Sequence, residues 1–201
     1  MPSPATGRTS WAWICVSLVL ALCLSACRGA SETEASAAGL DAPDQVTLSS
    51  HPVATQTKIH RVYGRLPDAR RKAVRRDIGQ VVDRWWEASY LGGDYPRSSF
   101  PAAFPGFTRG AQRRARADKA LLTNETGGPR IDSVTPRKRS VSIDILAVGR
   151  HARSVTAHFV LRFRTTGDKA ATTTVRGRLF LTRRNGPWRI FGYDVAKGSR
   201  P

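Results

Sequence analysis

Cysteine is scarce in this sequence, and its three residues all lie near the start. Cys15, Cys23 and Cys27 are the only thiols in 201 residues. A disulfide framework in the rest of the chain is therefore excluded, as is a zinc site built from several cysteines. Histidine does not replace them, because its four residues show no metal-binding spacing such as His-Glu-x-x-His, and we expect no bound metal. The histidines are His51, His60, His151 and His158.

Motifs for common catalytic chemistry are also missing. The sequence contains no Gly-x-Ser-x-Gly nucleophile elbow, no phosphate-binding loop and no dinucleotide-binding fingerprint. It therefore specifies neither a cofactor nor a catalytic set by motif.

Long hydrophobic runs are limited to one stretch near the start, from Trp11 to Leu24. This stretch has the length of a secretory signal and is short for a membrane span of roughly 20 residues. It ends in Leu24-Ser25-Ala26-Cys27, which resembles the lipobox of bacterial lipoproteins. The resemblance implies cleavage between Ala26 and Cys27, a diacylglyceryl thioether on Cys27, and anchoring at the extracytoplasmic face of the cell membrane. An ordinary cleaved signal and an uncleaved anchor are the alternatives.

Acidic residues are few, since 15 Asp and Glu stand against 33 Lys and Arg, a formal net charge of +18. Such an excess would suit a nucleic-acid-binding protein. The basic residues are spread along the chain, however, and export would separate the protein from the chromosome, so we predict no nucleic-acid partner. Anionic lipids, envelope polymers or an envelope protein complex fit better, because basic residues near an anionic membrane contribute about 1 kcal/mol each. A merely solvated surface is the alternative.

Composition divides the chain into three parts. Residues 1–26 are the predicted signal peptide. Residues 27–64 begin with Cys27 and are rich in Ala, Ser, Thr, Glu and Asp without apolar periodicity, which predicts a flexible tether. Residues 65–201 suffice for one domain with a hydrophobic core.

The domain is predicted to begin with helices. Pro67 and Asp68 are helix-start signals, and apolar residues then recur at three- and four-residue steps up to Gly92-Gly93. Thr108 can cap another helix over about residues 109–122. The prolines between the two helices predict a short turn that packs aromatic side chains into the core.

Alternation of apolar and polar residues predicts antiparallel strands over the rest of the chain. In the clearest of them, Phe159 and His158 face opposite sides. The last strand, from Trp188 to Val195, has apolar residues on both faces and is expected to be central or covered by a helix. Helices followed by a meander of strands predict an α+β fold with the helices packed on one face of the sheet.

Three features carry a resemblance to a known superfamily. They are the helix end Val82-Asp83-Arg84-Trp85-Trp86-Glu87-Ala88-Ser89-Tyr90, the aromatic segment after it, and the strand Trp188-Arg189-Ile190-Phe191-Gly192-Tyr193-Asp194-Val195. On these, residues 65–197 resemble the nuclear transport factor two-like superfamily, a cystatin-like α+β cone. The last strand is similar to that of exported actinobacterial members, including proteins associated with mammalian-cell-entry lipid transporters. The resemblance implies a curved antiparallel sheet with a pocket between sheet and helices.

Five residues are candidates for lining such a pocket: Trp85, Trp86, His158, Tyr193 and Asp194. Enzymes of this superfamily use Asp, His and Tyr as acids and bases, and Asp194 shares the parity of Trp188 and Ile190. The alternative is that Asp194 pairs with a neighbouring arginine. Adjacent helical residues point about 100° apart, so one of the two tryptophans is expected in the core and the other at the sheet edge or a partner.

Two functions follow from these patterns. The favoured one is a non-catalytic, membrane-anchored lipoprotein whose domain binds a ligand or serves as an accessory subunit in the cell envelope. The alternative is a small pocket enzyme of isomerase or dehydratase type with an Asp/His/Tyr acid–base set.

Overall fold

The structure, a computed structural model, describes residues 53–184 and 186–200. These residues form an α+β fold in which a curved, unclosed, mixed sheet of five strands is covered by helices on one face. The predicted α+β class is thereby confirmed. Ala26 and Cys27, the predicted cleavage and lipidation residues, lie outside the described residues.

The strands follow one another across the sheet in chain order, β1 to β5. The first is parallel to the second, and the other three pairs are antiparallel. The sheet is therefore mixed rather than wholly antiparallel as predicted. The strands are β1 Gln56–Tyr63, β2 Val134–Val148, β3 His151–Thr165, β4 Ala171–Thr182 and β5 Arg189–Arg200.

The helical segments lie between β1 and β2 in the chain. They are α1 Asp68–Trp86, a π-helical turn Glu87–Leu91, α2 Arg109–Ala117, α3 Lys119–Leu122 and a 3₁₀ turn Gly128–Arg130. The hydroxyl of Thr108 accepts a hydrogen bond from the Ala111 amide at 3.3 Å, which confirms it as the N-cap of α2. The helix predicted over residues 109–122 is interrupted at Asp118.

The structure differs from the sequence prediction in the first of the two edge strands. Part of the predicted tether, residues 56–63, forms β1 and pairs with β2. Its sequence concealed this, because Ile59 and Val62 are its only inward apolar residues and a bulge between Ile59 and Arg61 breaks the alternation. The last strand, β5, lies at the other edge rather than in the centre, and α2 and α3 cover its inner face, which is the second of the two predicted alternatives.

The two faces of the sheet differ in chemistry because side chains alternate along each strand. The inner face, beneath the helices, carries buried residues such as Ile143, Phe159 and Leu179. The open face carries the residues between them. Glycine is required at Gly177 in β4, since a Cβ there would lie 2.0 Å from the Asp194 carbonyl oxygen.

A buried arginine joins α1 to the sheet. The guanidinium of Arg139 in β2 lies 3.0 Å from Asp83 Oδ1 and 2.7 Å from Glu87 Oε1, and it donates to the Thr55 hydroxyl at 2.9 Å. It also lies 5.9 Å from the centre of the Trp86 ring. Asp83 is thus half-buried in an ion pair rather than placed on a solvated helix face.

Candidate functional site

The space between the helices and the sheet is filled by aromatic side chains. Trp85 and Trp86 are both fully buried. The ring of Trp85 lies 5.3 Å from that of Phe159 and 5.7 Å from that of Tyr90, while Trp86 lies 6.0 Å from Phe159. Close packing of this kind stabilises a core. The expectation that one tryptophan would face a sheet edge or partner is therefore wrong, because α1 is covered on more than one side.

An open groove of about 850 Å³ lies instead on the open face of the sheet, around its centre. It crosses all five strands, which supply residues in rows because the strands are paired in register. One row runs through Lys58, Ser142, His158, Arg178 and Asp194, and the next runs through Gln56, Ser140, Val160, Arg176 and Ala196.

Most of the charged side chains that line the groove are cationic. Lys58, Lys138 and Arg176 have no carboxylate within 4.0 Å among the described residues. Lys138 stands directly opposite Arg162 on the neighbouring strand, and Arg162 lies just outside the groove. Like charges in that position destabilise a sheet, so the arrangement leaves positive charge available for an anion.

Among the described residues, one acidic side chain lines the groove, and it is already paired. Asp194 Oδ2 lies 2.6 Å from Arg178 Nη2 and accepts a second bond from Nε at 3.2 Å. The alternative predicted for this residue, an ion pair with a neighbouring arginine, is thus what the structure contains. Both side chains are largely exposed, and such pairs contribute little to stability.

A carboxylate flanked by two histidines borders the groove. Asp144 Oδ1 lies 2.8 Å from His60 Nδ1, and Oδ2 lies 3.1 Å from His158 Nε2. Burial opposes ionisation of Asp144, but the hydrogen bonds with the two histidines outweigh it and lower the pKa of the carboxyl. The carboxylate ties together three strands and orients His158 at the groove.

The groove has no activated nucleophile. Ser142 stands opposite His158, yet no hydrogen bond joins their side chains within the part of the chain that the structure describes. His158 is also about half-exposed, so water is not excluded from it. No group of three His, Cys, Asp or Glu residues suited to a metal ion occurs among the described residues.

The five predicted pocket residues are distributed over both faces of the sheet. His158 and Asp194 line the open groove, while Trp85 and Trp86 are in the core. Tyr193 is on the helix side, where its hydroxyl donates to Asp118 Oδ2 at 2.6 Å. Burial and this hydrogen bond raise the pKa of Tyr193.

Asp194 faces away from the helices because of a bulge in β5. Ile190 pairs with Leu181 and Gly192 pairs with Phe180, so Phe191 is an extra residue between two consecutive partners. Such an insertion reverses the parity of every later side chain. Parity with Ile190 therefore predicted the wrong face for Asp194.

Sequence reasoning missed most residues of the groove. Lys58 fell in the predicted tether, and Lys138, Ser140 and Arg176 were not singled out. Each of them alternates with buried residues along its strand, and this alternation was the signal in the sequence that could have identified them. Nothing in one strand alone indicates that cations from several strands converge.

No protein-family model matches the chain, and comparisons with curated proteins and with solved structures likewise give no match. Within residues 53–184 and 186–200, no helix has both the length and the apolar character needed to cross a membrane.

Proposed function

We propose that this protein is a lipoprotein anchored through Cys27 at the extracytoplasmic face of the cell membrane, whose domain binds an anionic ligand without catalysing a reaction. The observation that carries the proposal is the open groove, in which Lys58, Lys138 and Arg176 have no carboxylate within 4.0 Å in the part of the chain that the structure describes. The packed interior supports a binding role, since aromatic side chains among the described residues occupy the space between helices and sheet where acid–base chemistry would need a water-excluding chamber.

Membership of the nuclear transport factor two-like superfamily is part of the proposal. A long first helix, helices on one face only, and four long strands in meander order support it. The members' usual binding site lies between helices and sheet. In this chain, Trp85, Trp86, Tyr90 and Phe107 fill that space, so binding moves to the open face.

The groove favours phosphate or carboxylate groups. Lys58, Lys138 and Arg176 supply charge, and the hydroxyls of Ser140 and Ser142 can donate hydrogen bonds. Because the cations come from three strands, they can contact several anionic groups at once. An envelope polymer and a lipid headgroup share this chemistry, and an experiment must distinguish them.

Binding to the groove can be tested with soluble probes and the full chain. Polyphosphate represents a polymer, and glycerophosphoglycerol represents a headgroup. We expect salt-dependent binding that is weakened about 30-fold by Lys138→Gln with Arg176→Gln, if each lost contact contributes about 1 kcal/mol. The matched control is Arg75→Gln with Arg84→Gln on α1, which removes the same charge from another surface. Equal losses in both double variants would mean that only net charge matters.

Anchoring is tested separately through Cys27. Cys27→Ala should release the protein from membranes or leave an unprocessed precursor, because the thioether requires the thiol. Fractionation and mass measurement of the cell envelope would detect either outcome. Normal processing with unchanged membrane retention would disprove the lipoprotein assignment.

A further inference from the structure

One end of the sheet, here called the hairpin end, brings together the β2–β3 turn, the β4–β5 connection and the start of α1. Ser154 pairs with Leu146 on one side and with Thr182 on the other, so both connections leave the sheet at the same end. The guanidinium of Arg70 in α1 donates to the Arg150 carbonyl oxygen at 2.6 Å, which joins the helix start to the β2–β3 turn.

The hairpin end carries a cluster of exposed arginines. A cleft of about 630 Å³ between the two connections is lined by Arg153, Arg183 and Arg184, and Arg70 and Arg150 stand beside it. None of these five forms an ion pair with a carboxylate among the described residues. No direct ion pair within the described residues therefore neutralises them.

Three exposed apolar side chains lie at the same end of the sheet as these arginines. Tyr63 pairs with Leu146 across β1 and β2, and Val148 follows on the same face of β2. Their relative exposures are 49%, 47% and 55%. Water-exposed apolar side chains on neighbouring positions, at the end of the sheet that also carries the arginines, are typical of an interaction surface.

We propose that the hairpin end docks onto an anionic lipid surface. Arginines there would contact headgroup phosphates, while Tyr63, Leu146 and Val148 would enter the boundary between headgroups and acyl chains. A hydrophilic polyanion would satisfy the arginines but would offer nothing to the apolar side chains. The combination of arginines and apolar side chains therefore favours a membrane surface. This inference rests on the proposed anchoring, which holds the protein at a membrane.

The position of the anchor is compatible with this orientation. Gln56, the first residue of β1, pairs with Ser140, which lies eight residues before the end of β2 at Val148, so the chain enters the sheet near its middle. The roughly 28 residues between Cys27 and Gln56 could span at most about 95 Å. The 15 residues of β2 extend only about 50 Å, so the lipid anchor and the hairpin end can reach one bilayer.

A polarity-sensitive dye can report docking in the full, anchored chain. It would be attached at Val148→Cys, with Thr172→Cys at the other end of the open face as the matched position. Both chains would be reconstituted in phosphatidylcholine vesicles with and without about one-third phosphatidylglycerol, a fraction that gives a strongly anionic surface. The parent chain, in which lipid occupies Cys27, should take up no dye.

We expect a blue-shifted, brighter emission at position 148 on anionic vesicles only, and no change at position 172. Arg150→Gln with Arg184→Gln should lower the docked-to-free ratio roughly 25-fold, about fivefold for each charge. Arg75→Gln with Arg84→Gln should leave it nearly unchanged. Lower ratios at high salt would support the same conclusion.

Several results would overturn the proposal. Equal emission at positions 148 and 172 on anionic vesicles would show that the hairpin end does not enter the lipid. A signal at position 148 that rises with protein density on neutral vesicles would assign the surface to a second copy of the chain. Flotation of the vesicles and dye uptake by the parent chain measure anchoring independently of docking. A failure of the proposed anchoring can therefore be distinguished from a failure of docking.

Discussion

Lys197 gives the domain a stability that should rise with pH in alkaline solution. Its ammonium points to the helix side from β5 and donates to the carbonyl oxygens of Ala120 and Thr123, at 3.0 and 2.5 Å. It also lies 5.7 Å from the centre of the Tyr90 ring. Burial lowers the pKa of Lys197 from 10.5 to about 8.

The sign of the effect follows from proton counting. Between pH 8 and pH 10 the unfolded lysine keeps its proton while the folded one releases it. The unfolded state therefore binds more protons, and the free energy of unfolding increases with pH by up to about 1.4 kcal/mol per pH unit. Over this window Lys197 alone contributes a gain of about 2 kcal/mol. Above pH 10 the gain should reverse, because burial raises the pKa of Tyr90 and Tyr193 and only the unfolded tyrosines ionise.

Urea unfolding followed by tryptophan fluorescence measures this gain. With a slope of about 1–3 kcal/mol per molar urea, the midpoint should rise by about 1–2 M between pH 8 and pH 10. Lys197→Met should abolish the rise, whatever it does to stability at pH 7. Lys138→Met, on the open face, is the control and should retain it. A flat profile in the parent chain, or an unchanged rise in Lys197→Met, would refute the reasoning.

Three further substitutions test the packing by the same urea unfolding assay. Trp188→Ala should destabilise the domain by about 3–5 kcal/mol because the side chain is buried, and a loss under 1 kcal/mol would contradict its place in the core. Gly177→Ala should cost at least about 1–3 kcal/mol through its clash with the neighbouring strand, whereas Gly198→Ala, with open space around it, should change stability by under about 0.5 kcal/mol. Arg139→Ala should lower the free energy of unfolding by about 1–3 kcal/mol because it leaves the carboxylates of Asp83 and Glu87 without their ion pairs. The control is the exposed Arg84→Ala, which should be nearly neutral. Equal effects of the two substitutions would disprove the role of these ion pairs.

Local signals in the sequence were sufficient for the helices and the central strands. The period of α1, the cap at Thr108 and the opposite facing of His158 and Phe159 all depend on residues close together in the chain. Such patterns are set by backbone geometry, which is the same wherever the element packs. The α+β class followed from their order.

The remaining features depend on contacts between distant segments. β1 is a strand because β2 provides its hydrogen-bonding partner, since its own apolar content is small. Trp85 and Trp86 are both buried because the aromatic segment after α1 covers a second side of that helix: Phe107 lies 6.1 Å from Trp85. Asp194 reached the open face through one extra residue in β5. None of these has a signature within its own segment.

The position of the groove follows from how the two faces of the sheet are used. Aromatic and aliphatic side chains pack on the inner face of the sheet. Because successive side chains along a strand point to opposite faces, the charged residues between them lie on the open face. The register of the strands then places charged residues side by side, and Lys138 and Arg162 are an example. Repulsion between such a pair lowers the stability of the domain by about 0.2–1 kcal/mol. A bound anion would remove that cost. In the free protein, the cations that would bind the ligand therefore lower the stability of the domain. In the complex, an anion that neutralises these cations stabilises the folded state.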